Sequence, residues 1–435
     1  MFKSIDKWFP GYLRSLMARP GSVPGTRHLI VCLCDHFEPF RETRDPLVAQ
    51  RIVRDWTASY PQAVDRFRDA DGFSPRHTFF YPQEDYDPAI LDELASFCRR
   101  GYGEVEIHLH HRHDTPAGFR EKLTSFRDLL HGQHGLLGVQ REIIDPENTT
   151  HHNPLCNAAP SPLRGEDGRI NDGRGAPPSS NFRGHGPKSR GSSLPAYAFI
   201  HGNWSLCNSR PDGDWCGVNE ELGILSETGC YADFTFPSAP SPTQPRLVNA
   251  LYYARDMPGR PRGADRGRIV ISDPLSVIGE ENQGAGTNTH NQESVTNNPA
   301  NPCELLLITG PLALNWRRRK WGVLPRLENA EISGANPPTP DRVRLWVEQG
   351  IHVRGRPDWV FVKLHTHGCV PGNTRVLMGE AMCQAHGLLA REFNDGTRIQ
   401  LHYVTAREMY NLVKAAEAGL PGAPGPYRDL IIARP

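Results

Sequence analysis

Short apolar runs alternate along the chain with segments in which apolar residues recur at helical spacing. Runs with the composition of strands buried on both faces occupy residues 28–34, 77–81, 104–109, 197–200, 268–272, 304–308, 359–364 and 398–404. Helical spacing is found at residues 45–60, 87–100, 119–130, 341–349 and 374–393. A repeated strand–helix order predicts an α/β fold with a mostly parallel sheet, and this number of units favours a (β/α) barrel.

Two long polar segments interrupt this alternation. Residues 146–195 and 279–302 are rich in Pro, Gly, Ser and Asn and carry no hydrophobic period, so they predict disordered insertions. Without them, the chain suits a barrel over residues 28–412, preceded by a helical extension at 1–27 and followed by a flexible tail at 413–435.

The balance of charged residues argues against nucleic acid and anionic membranes as partners. The 49 Lys and Arg residues cancel the 49 Asp and Glu residues, so no global field attracts nucleic acid or an anionic membrane. No apolar run approaches the roughly 18 residues of a membrane-spanning helix, and the amino terminus lacks the apolar stretch of a secretory signal. We therefore expect a cytoplasmic protein with no nucleic-acid partner and no transmembrane segment.

The sequence lacks the motifs of several common zinc-binding and nucleotide-binding sites. The ten cysteines contain no CxxC pair, which argues against a zinc ribbon and fits reduced thiols. The chain has no GxxxxGK[ST] motif and no GxGxxG motif after a predicted strand. A nucleotide-binding function therefore finds little support.

Histidine and carboxylate residues cluster where predicted strands end. They are Asp35, His36 and Glu38 after the first run, His108, His110, His111, His113 and Asp114 at the third, and His365 and His367 at a late one. Because the carboxyl ends of parallel strands converge on one side of such a fold, we expect these side chains to lie close together.

This residue set predicts a site for one divalent metal ion, with zinc the first candidate and iron, manganese or cobalt as alternatives. Such an ion needs about three nitrogen or oxygen ligands and an open position for water. His36, His110 and Asp114 could supply these ligands. Along an extended strand His108 and His110 share one face, whereas His110 and Asp114 converge if the chain turns directly after His110. The spacing leaves both ligand pairs open.

The order of these motifs resembles that of a known family. DHFEP at the first strand end, HLHHRHD at the third, a Gly/Asn/Trp loop and a late Leu-His are similar to the motifs of the polysaccharide deacetylase (NodB-like) superfamily. The resemblance is greatest to its uncharacterised exopolysaccharide-associated branch and covers most of residues 28–410. It implies a distorted (β/α) barrel of the glycoside hydrolase/deacetylase type, a bound metal and a carbohydrate substrate. It also implies envelope-polysaccharide biosynthesis proteins as partners.

The resemblance assigns roles to the first two motifs. Asp35 corresponds to the catalytic base. His36 stands in the place of a metal ligand, where the better-known members have an aspartate, and Glu38 competes for that role. His110 corresponds to the first of two histidine ligands, and Asp114 stands where the second is expected.

The later motifs imply the remaining roles. The late Leu-His pair implies His365 as the general acid, with His367 as its alternative or as a substrate-binding residue. Asn203 could donate to an acetyl oxygen, and Trp204 could stack on a sugar ring. Asp233 is the candidate for the aspartate that orients the base. The family's arginine motif has no clear match.

These observations predict a metal-dependent hydrolase that removes an acyl group, N-acetyl in the first instance, from a carbohydrate or polysaccharide precursor by cleaving a carbon–nitrogen amide bond. Two other functions stay open. An inactive barrel could bind a saccharide or a biosynthetic partner, because His36, Asp114 and the missing arginine depart from the family pattern. A metal-dependent amidase could also act on a non-sugar substrate, since one fold serves many substrates.

Overall fold

The structure is a computed structural model that describes residues 4–141, 194–273 and 304–435. The segments predicted as disordered insertions lie almost wholly outside the described residues, namely 146–193 of the first and all of 279–302. The described parts form a mixed α/β fold with one large, mostly parallel sheet. This confirms the α/β fold with a mostly parallel sheet that the alternation of strands and helices predicts.

Helices and strands alternate through much of the described chain. The helices are α1 Ile5–Met17, α2 Pro46–Val64, α3 Pro88–Arg99, α4 Pro116–His134, α5 Glu221–Glu227, α6 Pro340–Glu348, α7 Pro371–Leu377, α8 Glu380–Glu392 and α9 Ala406–Glu417. The strands are β1 Arg27–His36, β2 His77–Pro82, β3 Gly103–Leu109, β4 Gly138–Gln140, β5 Pro195–His201, β6 Cys230–Asp233, β7 Leu251–Ala254, β8 Gly267–Ile269, β9 Leu305–Ile308, β10 Ala313–Lys320, β11 Leu324–Glu328, β12 Glu331–Ile332, β13 Trp359–Thr366, β14 Ile399–Val404 and β15 Ile432–Ala433. Each run predicted as a strand overlaps one of these strands.

β1 has three strand partners in a 13-stranded sheet. One edge of β1 pairs in parallel with β13, from His28 opposite Trp359 to Asp35 opposite Thr366. The other edge pairs first with β14 and then with β2. From β2 the order continues through β3, β5, β6, β9, β7 and β8, and β7 runs antiparallel to both of its neighbours. The same edge of the sheet therefore carries the carboxyl ends of the parallel strands β1, β2, β3, β5 and β13.

β1 is buried on both faces, which explains its nearly continuous apolar sequence. Cys34 belongs to one hydrophobic cluster and Leu33 to another, so the two faces of the strand pack against different sets of residues. Because successive side chains of a strand point to opposite faces, Asp35 and His36 leave β1 in opposite directions.

Four predicted helices begin where a capping residue precedes a proline. The capping side chains of Asp45, Asp87, Thr115 and Thr339 each accept a hydrogen bond from a backbone N–H in the first helical turn. Proline follows directly as the first residue of α2, α3, α4 and α6. These dipeptides are local start signals, so the sequence pattern locates these helices well.

Two examples show how the fold departs from the sequence pattern. Residues 374–393 are predicted as one helix, but the helix is interrupted between α7 and α8. Gly379 lies at this break, where an added Cβ would be 2.4 Å from the carbonyl oxygen of Arg375. β7 is missed because its four residues are too few to show a period.

α1 lies within the helical extension predicted at residues 1–27. Trp8 and Tyr12 are buried in a cluster with Val248 and Leu312, so the apolar face of α1 packs against other parts of the fold. Throughout residues covered by the structure, no helix is both long enough and apolar enough to cross a membrane.

The carboxyl-terminal residues, predicted as a flexible tail at 413–435, pack onto the fold. α9 continues to Glu417, and β15 pairs antiparallel with β4. Ile431 and Ile432 are buried. The glycine- and proline-rich stretch before β15 predicts a tail. The short apolar run that follows it pairs with β4 instead.

Asn411 of α9 binds this terminal segment through its side-chain amide. Its Oδ1 accepts hydrogen bonds from the backbone N–H groups of Ile431 (3.1 Å) and Ile432 (3.0 Å). Its Nδ2 donates to the carbonyl oxygens of Arg428 (2.7 Å) and Ile432 (2.8 Å). The guanidinium of Arg428 also pairs with the buried Asp69 at 3.1 Å. Side-chain hydrogen bonds therefore hold this segment in addition to the backbone pairing of β15 with β4.

Replacing Asn411 with alanine should remove these four hydrogen bonds and leave buried backbone groups unpaired. At about 1 kcal/mol net for each bond, we expect Asn411→Ala to lower the free energy of unfolding by about 3 kcal/mol in urea denaturation. Gln62→Ala removes an exposed amide on α2 and should change it by less than about 0.5 kcal/mol. Equal stabilities of Asn411→Ala and the wild type would contradict the role of Asn411.

Candidate metal centre

Histidines from three strand ends meet beside the end of β1. His36 ends β1, His108 lies near the end of β3, and His367 directly follows β13. The ring centroid of His36 lies 4.8 Å from that of His108 and 4.7 Å from that of His367. The strand pairing therefore brings together imidazoles that are far apart in the sequence.

Glu38 lies among these histidines. Its Oε1 is 3.3 Å from Nε2 of His108, 3.6 Å from Nε2 of His110 and 4.0 Å from Nε2 of His367. Its Oε2 forms an ion pair with Arg41. Possible ligand atoms lie within 4.8 Å of one another in two overlapping sets of three residues. The Glu38 centre, as we call it, consists of His36, Glu38, His108, His110 and His367.

Two of the imidazoles are held so that their Nε2 atoms face Glu38. Nδ1 of His108 donates to the carbonyl oxygen of Ile200 at 3.0 Å. Nδ1 of His110 is hydrogen-bonded to the carboxylate of Glu84. A hydrogen bond at one ring nitrogen fixes the tautomer and leaves the other nitrogen free to bind a metal, which is the usual arrangement of histidine ligands.

His36 has no hydrogen bond at either ring nitrogen, although both are buried. Its ring stacks on that of Trp204, with 4.8 Å between the centroids. Burial, followed by the neighbouring imidazoles, lowers the pKa of His36 well below its usual value, so the ring is neutral near pH 7. A buried polar atom without a partner costs about 1–3 kcal/mol. A divalent ion such as zinc would give one of these nitrogens a partner, so the donor set fits the predicted metal.

The carboxylate of Glu38 is held in its ionised form. Burial alone would raise its pKa, but the neighbouring imidazoles of His108, His367 and His110 lower it to about 2. Burial opposes the charged form of His110, yet the carboxylates of Glu84 and Glu38 raise its pKa. A buried anion among imidazoles is electrostatically suited to a cation.

Asp35, predicted as the catalytic base, faces away from His36. Its Oδ2 lies 2.6 Å from Nε2 of His77, and its Oδ1 accepts a hydrogen bond from the backbone N–H of Gly368 at 2.5 Å. The sequence pattern marks His77 only as the first residue of a strand, so this partner was missed. Through Gly368, Asp35 binds the loop that carries His367.

The other two predicted carboxylates contact residues outside the Glu38 centre. Asp114 pairs with Lys122 at 2.7 Å and faces His111 at 3.4 Å. Asp233 accepts hydrogen bonds from the backbone N–H (3.0 Å) and the hydroxyl (2.7 Å) of Thr235. Among the described residues, the sets of possible metal ligands do not include Asp114. Its role as a ligand and the role of Asp233 as an orienting residue stay predictions.

Trp204 connects the Glu38 centre with His365. The centroid of its ring lies 5.3 Å from that of His365. Burial, followed by the charge of Lys363, lowers the pKa of His365 well below its usual value. His365 is therefore neutral near pH 7 and has to gain a proton before it can act as a general acid. The neighbouring Asn203 has a buried Nδ2 without a hydrogen-bond partner, which leaves a donor for a ligand.

The turn after β2 contributes two carboxylates that the sequence pattern missed. Glu84 binds His110, as described above. Burial, followed by the charges of Glu84 and Glu38, raises the pKa of Asp85 to about 6. Only the register of β2 on β3, with Pro82 opposite His108, brings this turn to the site. No local spacing in the sequence could have shown it.

A second group of possible ligands shares no residue with the Glu38 centre. It consists of His111, His201, Cys216 and Glu221, which are all buried and whose ligand atoms lie within 4.8 Å of one another. The sequence pattern marks His111 as part of the strand-end cluster. It gives no signal for Cys216 or Glu221, because they follow in a loop and at the start of α5.

Comparison with protein-family models, with curated proteins and with solved structures found no match. The resemblance to polysaccharide deacetylases therefore stays a prediction. The buried histidine, cysteine and glutamate groups could bind metal, and this is the observation from which a function can be inferred.

The dependence of stability on pH tests whether the Asp233 side chain is buried. Burial raises its pKa to about 7, from 3.8 for an ordinary aspartate, although the bonds from Thr235 and the charge of Lys363 oppose this shift. Because the folded chain holds this proton more tightly than the unfolded chain, the contribution of Asp233 to stability falls as the pH rises through this range.

We expect Asp233→Asn, which carries no such charge, to gain stability relative to the wild type by about 2 kcal/mol between about pH 5 and about pH 8. Urea denaturation at several pH values measures this difference. Asp55→Asn, an exposed substitution on α2, serves as the control and should show no comparable trend. A pH-independent difference for Asp233→Asn would contradict the raised pKa.

Proposed function

We propose that the chain is a metal-dependent hydrolase that cleaves the amide bond of an acylated substrate, and that N-acetylated carbohydrates are its substrate class. The observation that carries this proposal is the Glu38 centre, in which one ionised carboxylate and four imidazoles face one another. A bound divalent cation supplies Lewis acidity and lowers the pKa of a bound water to near neutrality. This is the chemistry that amide hydrolysis requires.

Glu38, His108 and His110 are the proposed metal ligands, because their free ligand atoms converge and the other nitrogen of each imidazole is already bonded. His36 or His367 can complete the set. The side chains of His110 (31% exposed) and His367 (20% exposed) are the parts of the centre that solvent reaches. A water molecule and a substrate can approach from this side.

Asp35 and His365 are assigned the proton transfers, as the resemblance to deacetylases implies. Both oxygens of Asp35 are engaged, one with His77 and the other with the backbone N–H of Gly368, so a proton would have to reach one of their remaining lone pairs. Asp85 is the alternative base, since its pKa of about 6 suits proton transfer near neutral pH. His365 would protonate the departing amine after gaining a proton in the substrate complex.

Trp204 and Asn203 are the proposed carbohydrate contacts. The half-buried indole ring of Trp204 stacks on His36 and makes an edge contact with His365, so a sugar next to the reacting amide could stack on its other face. The unpartnered Nδ2 of Asn203 can donate to the acetyl oxygen, where negative charge develops during hydrolysis.

The proposal includes a distorted barrel, and contacts between distant strands of the sheet support it. An added Cβ at Gly310, which follows β9, would lie 2.4 Å from the carbonyl oxygen of Lys363 in β13. The Nζ of Lys363 donates to the carbonyl oxygen of Phe236 at 3.1 Å. β9 and β13 are far apart in the strand order, so these contacts support a sheet that curls towards closure.

Glu38→Gln tests the metal centre and the activity together. We expect this variant to lose about one metal ion per chain, measured by inductively coupled plasma mass spectrometry. We also expect kcat/KM on N-acetylated sugars to fall by at least about 100-fold, because an amide is a poor replacement for a carboxylate ligand. Glu106→Gln is the matched control on β3, since burial raises the pKa of Glu106 well above its usual value and keeps it neutral.

Each result decides between the candidate functions. Unchanged metal content and activity in Glu38→Gln would exclude the Glu38 centre as the catalytic site. A wild-type protein that binds metal and hydrolyses other amides, but not N-acetylated sugars, would be an amidase for non-sugar substrates. Bound metal without turnover of any amide would indicate a binding protein.

A further inference from the structure

We propose that His111, His201, Cys216 and Glu221 form a second metal site, which binds one zinc ion and has a structural role. His111 follows β3 and His201 ends β5, whereas Cys216 lies in the long loop after β5 and Glu221 begins α5. The site would therefore join two strand ends to a loop and a helix. It does not depend on the function proposed for the Glu38 centre.

The distances between the ligand atoms suit tetrahedral zinc. Oε1 of Glu221 is 2.9 Å from Nε2 of His111 and 3.7 Å from Nε2 of His201, and the ligand atoms of all four residues lie within 4.8 Å of one another. Bonds of about 2.0–2.3 Å at tetrahedral angles place ligand atoms roughly 3.3–3.8 Å apart. Only small movements would convert the observed arrangement into a zinc site.

The polar atoms at the centre of this group have no hydrogen-bond partner. They are Nε2 of His111, Nε2 of His201 and Oε1 of Glu221, and all three side chains are fully buried. A proton shared by His111 and Glu221 would satisfy two of these atoms and leave His201 unpaired. One cation between them gives a partner to all three, and it offsets the charge of the buried carboxylate.

Backbone groups contact both Cys216 and Glu221. The backbone N–H of Val218 donates to Sγ of Cys216 at 3.4 Å, and the thiol itself lies 3.3 Å from the carbonyl oxygen of Val218. Burial and the charge of Glu221 raise the pKa of this thiol, so a bound zinc ion would have to displace its proton. The backbone N–H of Cys207 donates to Oε2 of Glu221, which leaves Oε1 for the metal. Such outer contacts orient the ligands of metal sites.

The two imidazoles differ in the contacts of Nδ1. Nδ1 of His111 has no hydrogen-bond partner and lies 3.4 Å from Oδ2 of Asp114, which could accept its proton after a small movement and so keep Nε2 free. His201 needs its proton at Nδ1 as well, where its own backbone carbonyl can accept it. The hydrogen bond from the N–H of Asn203 to this Nδ1, at 3.2 Å, would then be given up.

The ligand types favour zinc and a structural role. A thiolate with imidazoles selects zinc over magnesium, calcium or manganese, which prefer oxygen ligands. Four protein ligands that are all buried leave no open position for a substrate, as in closed structural zinc sites.

A metal at this site would fix the loop that covers the Glu38 centre. The loop between His201 and Glu221 carries Trp204, which stacks on His36. Its first residue, Gly202, is so close to His110 that an added Cβ would lie 2.3 Å from the imidazole ring. Anchoring both ends of the loop to one ion would hold Trp204 in place over the centre.

Cobalt substitution can detect this site independently of any activity. Cobalt(II) bound by a thiolate gives a sulfur-to-metal charge-transfer band in the near ultraviolet, and the Glu38 centre contains no cysteine. We expect the full-length protein loaded with cobalt to show this band and to bind about two ions per chain. Glu38→Gln should remove one ion and keep the band.

Substitutions of cysteine identify the ligand. Cys216→Ala should abolish the band and lower the metal content by about one ion per chain. Cys230→Ala, which alters another buried cysteine on β6, should change neither. Cys216→His keeps a ligand atom in place, so it should retain the ion and lose the band. This variant separates loss of the thiolate from loss of the fold.

Two results would overturn the second site. One is a cobalt-loaded wild type that shows no thiolate band, and the other is a band that persists in Cys216→Ala. Because neither measurement involves turnover, a failure of the proposed hydrolase activity would not affect them. Conversely, an active enzyme without the band would retain the Glu38 centre and exclude this site.

Discussion

The parallel pairing of β1 with β13 is the constraint on which the candidate site depends. Its register places Cys34 opposite His365 and Asp35 opposite Thr366. Both strands are buried along nearly their full lengths, and a slip by one residue would exchange the side chains that pack into the two different hydrophobic clusters. The packing of the core therefore also fixes which polar side chains meet at the strand ends.

Because successive side chains of an extended chain point in opposite directions, neighbouring polar residues lie in different environments. His36 joins the Glu38 centre, whereas the adjacent Asp35 binds His77 on the other side of the strand. The step from His110 to His111 has the same effect just after β3, because His110 faces Glu38 and His111 faces Glu221. A dense histidine motif can thus serve two separate groups, and counting its residues does not show how many sites it forms.

The sequence predicts those parts of the fold that depend on local patterns. Buried strands such as β1 and β13 have continuous apolar runs, and helices such as α2 begin at a capping residue followed by proline. The sequence also indicates that strand-end histidines converge, because parallel topology requires it. It does not show that Glu84 reaches His110 or that His77 reaches Asp35, since both contacts depend on the register between strands.

The Glu38 centre and the group of His111, His201, Cys216 and Glu221 differ in exposure, as catalytic and structural metal sites do. A catalytic ion needs an open side for water and substrate, and His110 and His367 leave the Glu38 centre partly exposed. A structural ion needs to be enclosed, and the side chains of His111, His201 and Glu221 are fully buried.

The arrangement of the two groups also links the rigidity of the loop between them to reactivity at the Glu38 centre. The close approach of Gly202 to His110 joins the two groups through the backbone. Electrostatic catalysis works best when the groups around the reacting atoms are held before the substrate arrives. A closed site at the base of the loop would supply that rigidity to Trp204 and His36, and it would leave the open side of the Glu38 centre free for the substrate.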